Sequence, residues 1–323
     1  MFISLLIIAI LLVAGCTNIV KQDSSEKTSV ITTLFPLYEF AKEVGKDKVE
    51  VTLLLPPGAE AHTFEPKPSD IQKINNADMF LYVGAGMEPW AHDIVEGTNN
   101  KKLTLLDASS KVTLLKSEEH EHEEHGHEAE EEHETELEEH EEEHNHGEYD
   151  PHIWLDFEND QKIVNAIADS LSQKDPANKD FYLKNAQEYN AKLAKLHTDY
   201  ISSLSNCKQK EFISGGHNAF SYLAHKYGLE TISAFGISPD SEPTPQKIKE
   251  IVDLTKEHGI KYIYFEKLIN PKMAETIASE AGAKTLVLNP AHNLQKEQLQ
   301  QGMTFISLME ENLENLKIGL ECE

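Results

Sequence analysis

The sequence predicts an α/β protein: two lobes, each with a mainly parallel sheet flanked by helices, joined by one long rigid helix. Three observations carry this. Short apolar runs alternate with amphipathic stretches between residues 30 and 106, and the same alternation returns between 211 and 316. Between them lies one helical stretch of nearly thirty residues. Alternating strand and helix signals of this kind indicate βαβ units and parallel sheets.

The elements follow in order. Strands are predicted at 30–34, 49–55, 78–83 and 103–106, and helices at 36–44, 68–75 and 89–95. After an acidic tract come helices at 159–171 and 176–204. In the second of these Tyr182, Ala186, Tyr189, Leu193 and Leu196 keep a spacing of three or four, which is one helix face. At ~1.5 Å per residue it reaches roughly 40 Å. The second lobe has predicted strands at 211–213, 231–234, 261–265 and 285–288, and helices at 219–227, 245–258, 271–281 and 295–316. The expected organisation is a signal peptide over 1–15, a tether over 16–28, an N-terminal lobe over 29–172, a linking helix over 173–205 and a C-terminal lobe over 206–323. A loop over 117–148, expected to be disordered, interrupts the N-terminal lobe.

The N-terminus reads as a processing signal. Residues 2–13 are almost wholly apolar and run into Leu12-Val13-Ala14-Gly15-Cys16. That stretch is shorter than the ~20 residues a spanning helix needs. Small residues before a cysteine look like a lipobox, so Cys16 is the expected lipidation site and the body is expected outside the cytoplasm, anchored to the outer face of the membrane. The usual basic residues before the apolar run are missing. Cys207 and Cys322 remain as a possible disulfide, worth roughly 4 kcal/mol by chain entropy; sequence alone leaves the pairing open.

Between Glu118 and Glu148 stand 17 glutamates and eight histidines: His120, His122, His125, His127, His133, His140, His144 and His146. Neutral imidazole suits zinc, copper and nickel, so this tract is expected to collect divalent metal at low affinity. A solvated acidic loop needs only glutamate; the interleaved histidines favour metal. Setting aside the 17 glutamates takes the formal charge from −27 to −10, and no basic stripe is present, which argues against nucleic acid. The chain has no arginine, so bidentate guanidinium clamps are excluded.

Eight histidines lie elsewhere. His197 and His258 fall on polar helix faces, and His92 and His225 on short helices with mixed neighbours, where surface or capping roles suffice. His62, His152 and His217 differ, each in a Gly/Pro-marked loop beside a strand or helix: Pro57-Gly58-Ala59-Glu60-Ala61-His62, Asp150-Pro151-His152 and Gly215-Gly216-His217. Ligand sites of open α/β sheets gather at the C-terminal edges of strands. Three imidazoles from three such loops would supply most of a tetrahedral zinc site.

The segments 56–70, 83–90, 150–156 and 216–220 resemble the signature segments of the zinc/manganese substrate-binding lipoproteins of ABC transporters, the cluster A-I metal receptors. Residues 241–245 and 260–290 are also similar to that family, and the match covers nearly the whole mature chain in order. The resemblance implies two α/β lobes on one long helix, and a metal held by His62, His152, His217 and a fourth position in the last strand-to-helix loop. That family usually has aspartate before proline there; this chain has Asn289-Pro290. Asn289 is the expected fourth position, with His292, water or Glu60 as alternates. A histidine-dominated site favours zinc over manganese. Affinity is expected to fall as pH drops through the histidine range near ~6.5.

The function implied is a monomeric extracytoplasmic zinc receptor, not an enzyme, that delivers Zn2+ to an ABC permease, with Glu65, Glu88 and Glu242 as exposed docking candidates. The alternatives are a manganese-type receptor, an extracellular metal buffer or adhesin, and a zinc hydrolase. His140-Glu141-Glu142-Glu143-His144 formally matches a metalloprotease motif, but that motif needs a half-buried helix, and this one sits in a low-complexity acidic run.

Overall fold

The computed structural model describes residues 27–117, 148–237 and 243–323. Cys16, Glu242 and the eight histidines of the acidic tract lie outside the described residues. No described helix is long and apolar enough to cross a membrane.

The first half contains β1 (Thr28–Thr32), α1 (Phe35–Gly45), β2 (Val49–Leu53), α2 (Pro68–Asn76), β3 (Met79–Tyr82), α3 (Ala91–Gly97) and β4 (Thr104–Asp107). Its strands pair in the order β2-β1-β3-β4, all parallel. Two helices then follow, α4 (Phe157–Lys174) and α5 (Lys179–Leu204). The second half contains β5 (Glu211–Ser214), α6 (Ser221–Tyr227), β6 (Glu230–Ser233), α7 (Pro245–Glu257), β7 (Tyr262–Phe265), α8 (Lys272–Ala281), β8 (Lys284–Val287), α9 (Lys296–Gln300) and α10 (Phe305–Gly319). Its strand order, β6-β5-β7-β8, repeats the pattern of the first sheet, again all parallel. In both sheets the strand order reverses beside the first strand of the half, which puts a crevice at the carboxyl strand ends.

The long helix α5 buries Tyr182, Ala186, Tyr189, Leu193, Leu196, Tyr200 and Leu204 along one stripe. Those side chains belong to a single core cluster that also takes in Phe40 and Leu81 from the first half and Phe212 and Phe305 from the second. Aromatic edges knit it: Phe40 meets Tyr189 at 5.7 Å and Phe305 at 5.2 Å, and Phe157 meets Tyr200 at 5.0 Å. Each fully buried ring contributes about 1.5–3 kcal/mol by leaving water. The two halves therefore share one core along α5. Each outer sheet face has its own smaller cluster, around Ile74 and Phe80 in the first half and Ile251 and Ile263 in the second. Cys207 and Cys322 are bonded to each other, tying the end of α5 to the C-terminal segment.

One expected helix, 295–316, is two. Gly302 adopts φ +74, the left-handed region that glycine enters without strain. Two residues on, Thr304 is extended and its side chain accepts the N–H of Ser307, starting α10 with a new N-cap. Apolar periodicity runs through the break, so periodicity alone did not reveal it.

Candidate metal centre

His62 lies in the loop after β2, His217 in the loop after β5 and His292 in the loop after β8. His152 immediately precedes a single 3-10 turn, Ile153–Leu155, that leads into α4. Local chemistry aims each of them. Trp154, the buried middle residue of this turn, donates its Nε1–H to the Pro290 carbonyl at 2.7 Å, holding the His152 and His292 loops together. The His292 carbonyl accepts the N–H of Phe35 at 3.0 Å, and Gly58 N–H donates to the Leu294 carbonyl at 3.0 Å. Asn293 Nδ2 donates to the carbonyls of Pro56 and Ala59. Backbone of the first half is thus tied to the last loop of the second half beside the histidines.

One ring nitrogen from each of His62, His152, His217 and His292 comes within 4.8 Å of all the others. His217 Nε2 stands 3.2 Å from His152 Nε2 and 3.3 Å from His292 Nε2. A tetrahedron of nitrogens around zinc at ~2.0–2.1 Å has edges of about 3.3 Å, so this donor set fits that ion. The Nε2 atom of His62 is buried and has no hydrogen-bond partner, as a free ligand lone pair requires. His152, His217 and His292 are buried, whereas His62 is partly exposed beside a cavity of about 400 Å3 lined by Phe64, Glu65, Trp90 and Asp93.

Two carboxylates orient the rings. Asp150 Oδ1 accepts both the backbone N–H of His152 at 2.8 Å and its Nδ1 at 2.7 Å. Glu266 Oε1 lies 2.8 Å from His217 Nδ1. With Nδ1 committed to a carboxylate, Nε2 is the nitrogen left for a metal. Burial, reinforced by neighbouring imidazoles, holds His62 and His292 well below the ordinary histidine range. Burial also lowers His152, against the pull of Asp150. For His217 burial pulls downward, but Glu266, Glu60 and Asp150 outweigh it and the net shift is up. Three of the four rings are therefore neutral near pH 7, the form that binds metal.

Asn289, expected at the fourth position, is engaged elsewhere. Its Oδ1 accepts the N–H of Ala291, and its own N–H and carbonyl pair with the Asn312 side chain. His292, two residues beyond the proline, brings the fourth nitrogen into the cluster. Glu60 stays at its own turn, accepting the N–H of Thr63 at 3.0 Å. Of the docking candidates, Glu65 is exposed, but Glu88 is not: only 7% exposed, it accepts the N–H groups of Val83 and Gly84. That corrects the expectation that Glu88 faces a partner. Its carboxylate instead folds back on a loop where Gly84, Ala85 and Gly86 all have positive φ, and burial pushes it up to about 7. Asp150 and Glu266 were not singled out from sequence. Asp150, two residues before His152, was within reach of inspection; Glu266, 49 positions from His217, carried no local signal.

The chain matches the family model described as zinc-uptake complex component A, periplasmic, over residues 30–319. It is 40% identical over 314 residues to the high-affinity zinc uptake system protein ZnuA of Bacillus subtilis, covering 96% of this chain and 94% of that protein. To the zinc-binding lipoprotein AdcA of Streptococcus pneumoniae it is 38% identical over 98% of its length, yet spans only 60% of that relative. Among solved structures, the Zn(II)-bound ZnuA-like domain of Streptococcus pneumoniae AdcA superimposes with TM-score 0.74 at 36% identity, covering 91% of this chain and 99% of that one. The metal-dependent lipoprotein YcdH of Bacillus subtilis superimposes with TM-score 0.75 at 37% identity over the same shares.

Proposed function

This chain belongs to the family of zinc-uptake complex component A proteins, and on that premise we propose that it captures Zn2+ outside the cytoplasm and hands it to an ABC permease. The ion is held by His62, His152, His217 and His292. The observation that carries this is the convergence of four imidazole nitrogens within 4.8 Å, on loops from both halves. Nitrogen donors without an inner carboxylate favour zinc over the harder manganese. A fourth imidazole also closes the position that a catalytic zinc keeps open for water, which supports capture over hydrolysis. Cys16 anchors the protein by lipid to the outer membrane face, the protein acts as a monomer, and the exposed Glu65 belongs to the permease-docking face. The histidines between 120 and 146 collect zinc at lower affinity beside the tight site.

The test is zinc titration against a competing chelator. One tight equivalent is expected from the protein, retained when residues 118–147 are deleted and lost in His152→Ala and His217→Ala. If the deletion abolishes all tight binding, the protein is a passive buffer and the receptor function is wrong. Zinc-limited growth of cells carrying His217→Ala should be impaired.

A further inference from the structure

Imidazoles that bind a metal through nitrogen are neutral and bring no charge to a buried dication, yet two carboxylates stand directly behind His152 and His217. Asp150 is 1% exposed and Glu266 is 3% exposed. Among the described residues, each pairs with a ring of the cluster and neither with a lysine. Asp150 Oδ2 is buried with no hydrogen-bond partner at all. A buried carboxylate left half-satisfied is costly unless a cation arrives to compensate it.

The backbone is shaped to admit the second carboxylate. A Cβ on Gly216 would lie 2.2 Å from Glu266 Oε1, so only glycine beside His217 lets that oxygen reach Nδ1. Gly215 is filled on its other side by the backbone of Ala274, 2.5 Å from where its Cβ would be. The Gly215-Gly216-His217 run thus packs a carboxylate against a ligand ring as well as making a turn.

We propose that Asp150 and Glu266 set the charge selectivity of the site: two carboxylates one ring removed from the ion match a divalent cation, while the imidazoles set its softness. This rests on the zinc-capture function and adds to it. Inner carboxylates would supply the same charge but would also admit harder ions such as manganese. Placing the charge one ring away separates the two properties. Dications are then preferred over monovalent soft ions that bind imidazole equally well, such as Ag(I).

The experiment compares Asp150→Asn, Glu266→Gln and the double variant with the unaltered protein, titrated with Zn(II) and with Ag(I). Asn and Gln keep an oxygen facing Nδ1–H and remove only charge. Each single substitution is expected to weaken Zn(II) binding by about 10- to 100-fold. Coulomb energy scales with the ion's charge, so the Ag(I) loss should be roughly the square root of the Zn(II) loss. The Co(II)-loaded variants should keep the visible absorption of a tetrahedral site, which reports both folding and ring geometry. Equal losses for the two ions would overturn the proposal and leave the carboxylates as ring-positioning groups. Unchanged Zn(II) affinity in both single variants would overturn it as well. Should Asp150→Asn fail to fold, Glu266→Gln alone decides by the same ratio. Failure of the unaltered protein to bind zinc would refute the zinc-capture function instead, and is seen separately.

Discussion

Asn289 Oδ1 accepts the N–H of Ala291 at 2.8 Å, and this bond closes the turn from which His292 enters the cluster. Ala291 sits at φ +63, a conformation that an L side chain adopts only when its surroundings enforce it. Asn289→Ala removes the acceptor and should weaken zinc binding by about tenfold, a value typical of lost supporting contacts. Asn289→Asp keeps the acceptor and should bind zinc nearly as the unaltered protein does. Chelator competition measures both; equal weakening in the two variants would show that the turn does not position His292.

His292 decides the donor set of the proposed site. His292→Glu replaces an imidazole nitrogen by a carboxylate oxygen and should shift the Mn(II)/Zn(II) affinity ratio toward manganese by about tenfold or more, because harder ions prefer oxygen. His292→Ala should weaken both metals without that shift. Competition titrations with the two ions give the ratio directly.

Glu39 is a buried acid on α1, outside the histidine cluster. It is 8% exposed at a cavity of about 530 Å3, and burial together with Glu43 pushes it up to about 7. Its folded value lies above the unfolded 4.5, so the folded state holds the proton more tightly. The resulting stability is fully present below pH 4.5 and is lost as pH rises through 7. Glu39→Gln should therefore raise the unfolding free energy at pH 8 by about 1–3 kcal/mol and change it little at pH 4.5. Denaturant unfolding at the two pH values checks this; equal effects at both would exclude a titrating Glu39.

The Cys207–Cys322 bond closes a separation of 115 residues. Cys207→Ser with Cys322→Ser should cost about 2–5 kcal/mol of stability, chiefly by freeing the unfolded chain. Both residues lie away from the histidines, so zinc affinity should stay unchanged. Denaturant unfolding with and without reductant, alongside zinc titration, separates the two effects.

Most of the secondary structure was legible because it is local. Alternating apolar runs marked the eight strands of the described residues, and a three-to-four spacing marked α5 along its whole buried stripe. The break between α9 and α10 escaped because Gly302 and Thr304 interrupt the backbone without interrupting the apolar pattern. Glu88 was misplaced for a related reason. A glutamate in a glycine-rich loop reads as exposed, and only the folded loop turns Val83 and Gly84 N–H groups toward it.

What the sequence by itself determined is the α/β fold and three histidines in loops beside a strand or helix, since residue type and local spacing carry that information, while the class of protein followed from the resemblance of its signature segments. Tertiary structure alone brings the His292 ring beside those three, and places Asp150 and Glu266 behind the rings. The physical reason is distance along the chain. His62 and His292 lie 230 residues apart, and the shared core along α5, with the hydrogen bonds of Gly58 and Asn293, brings their loops to one point.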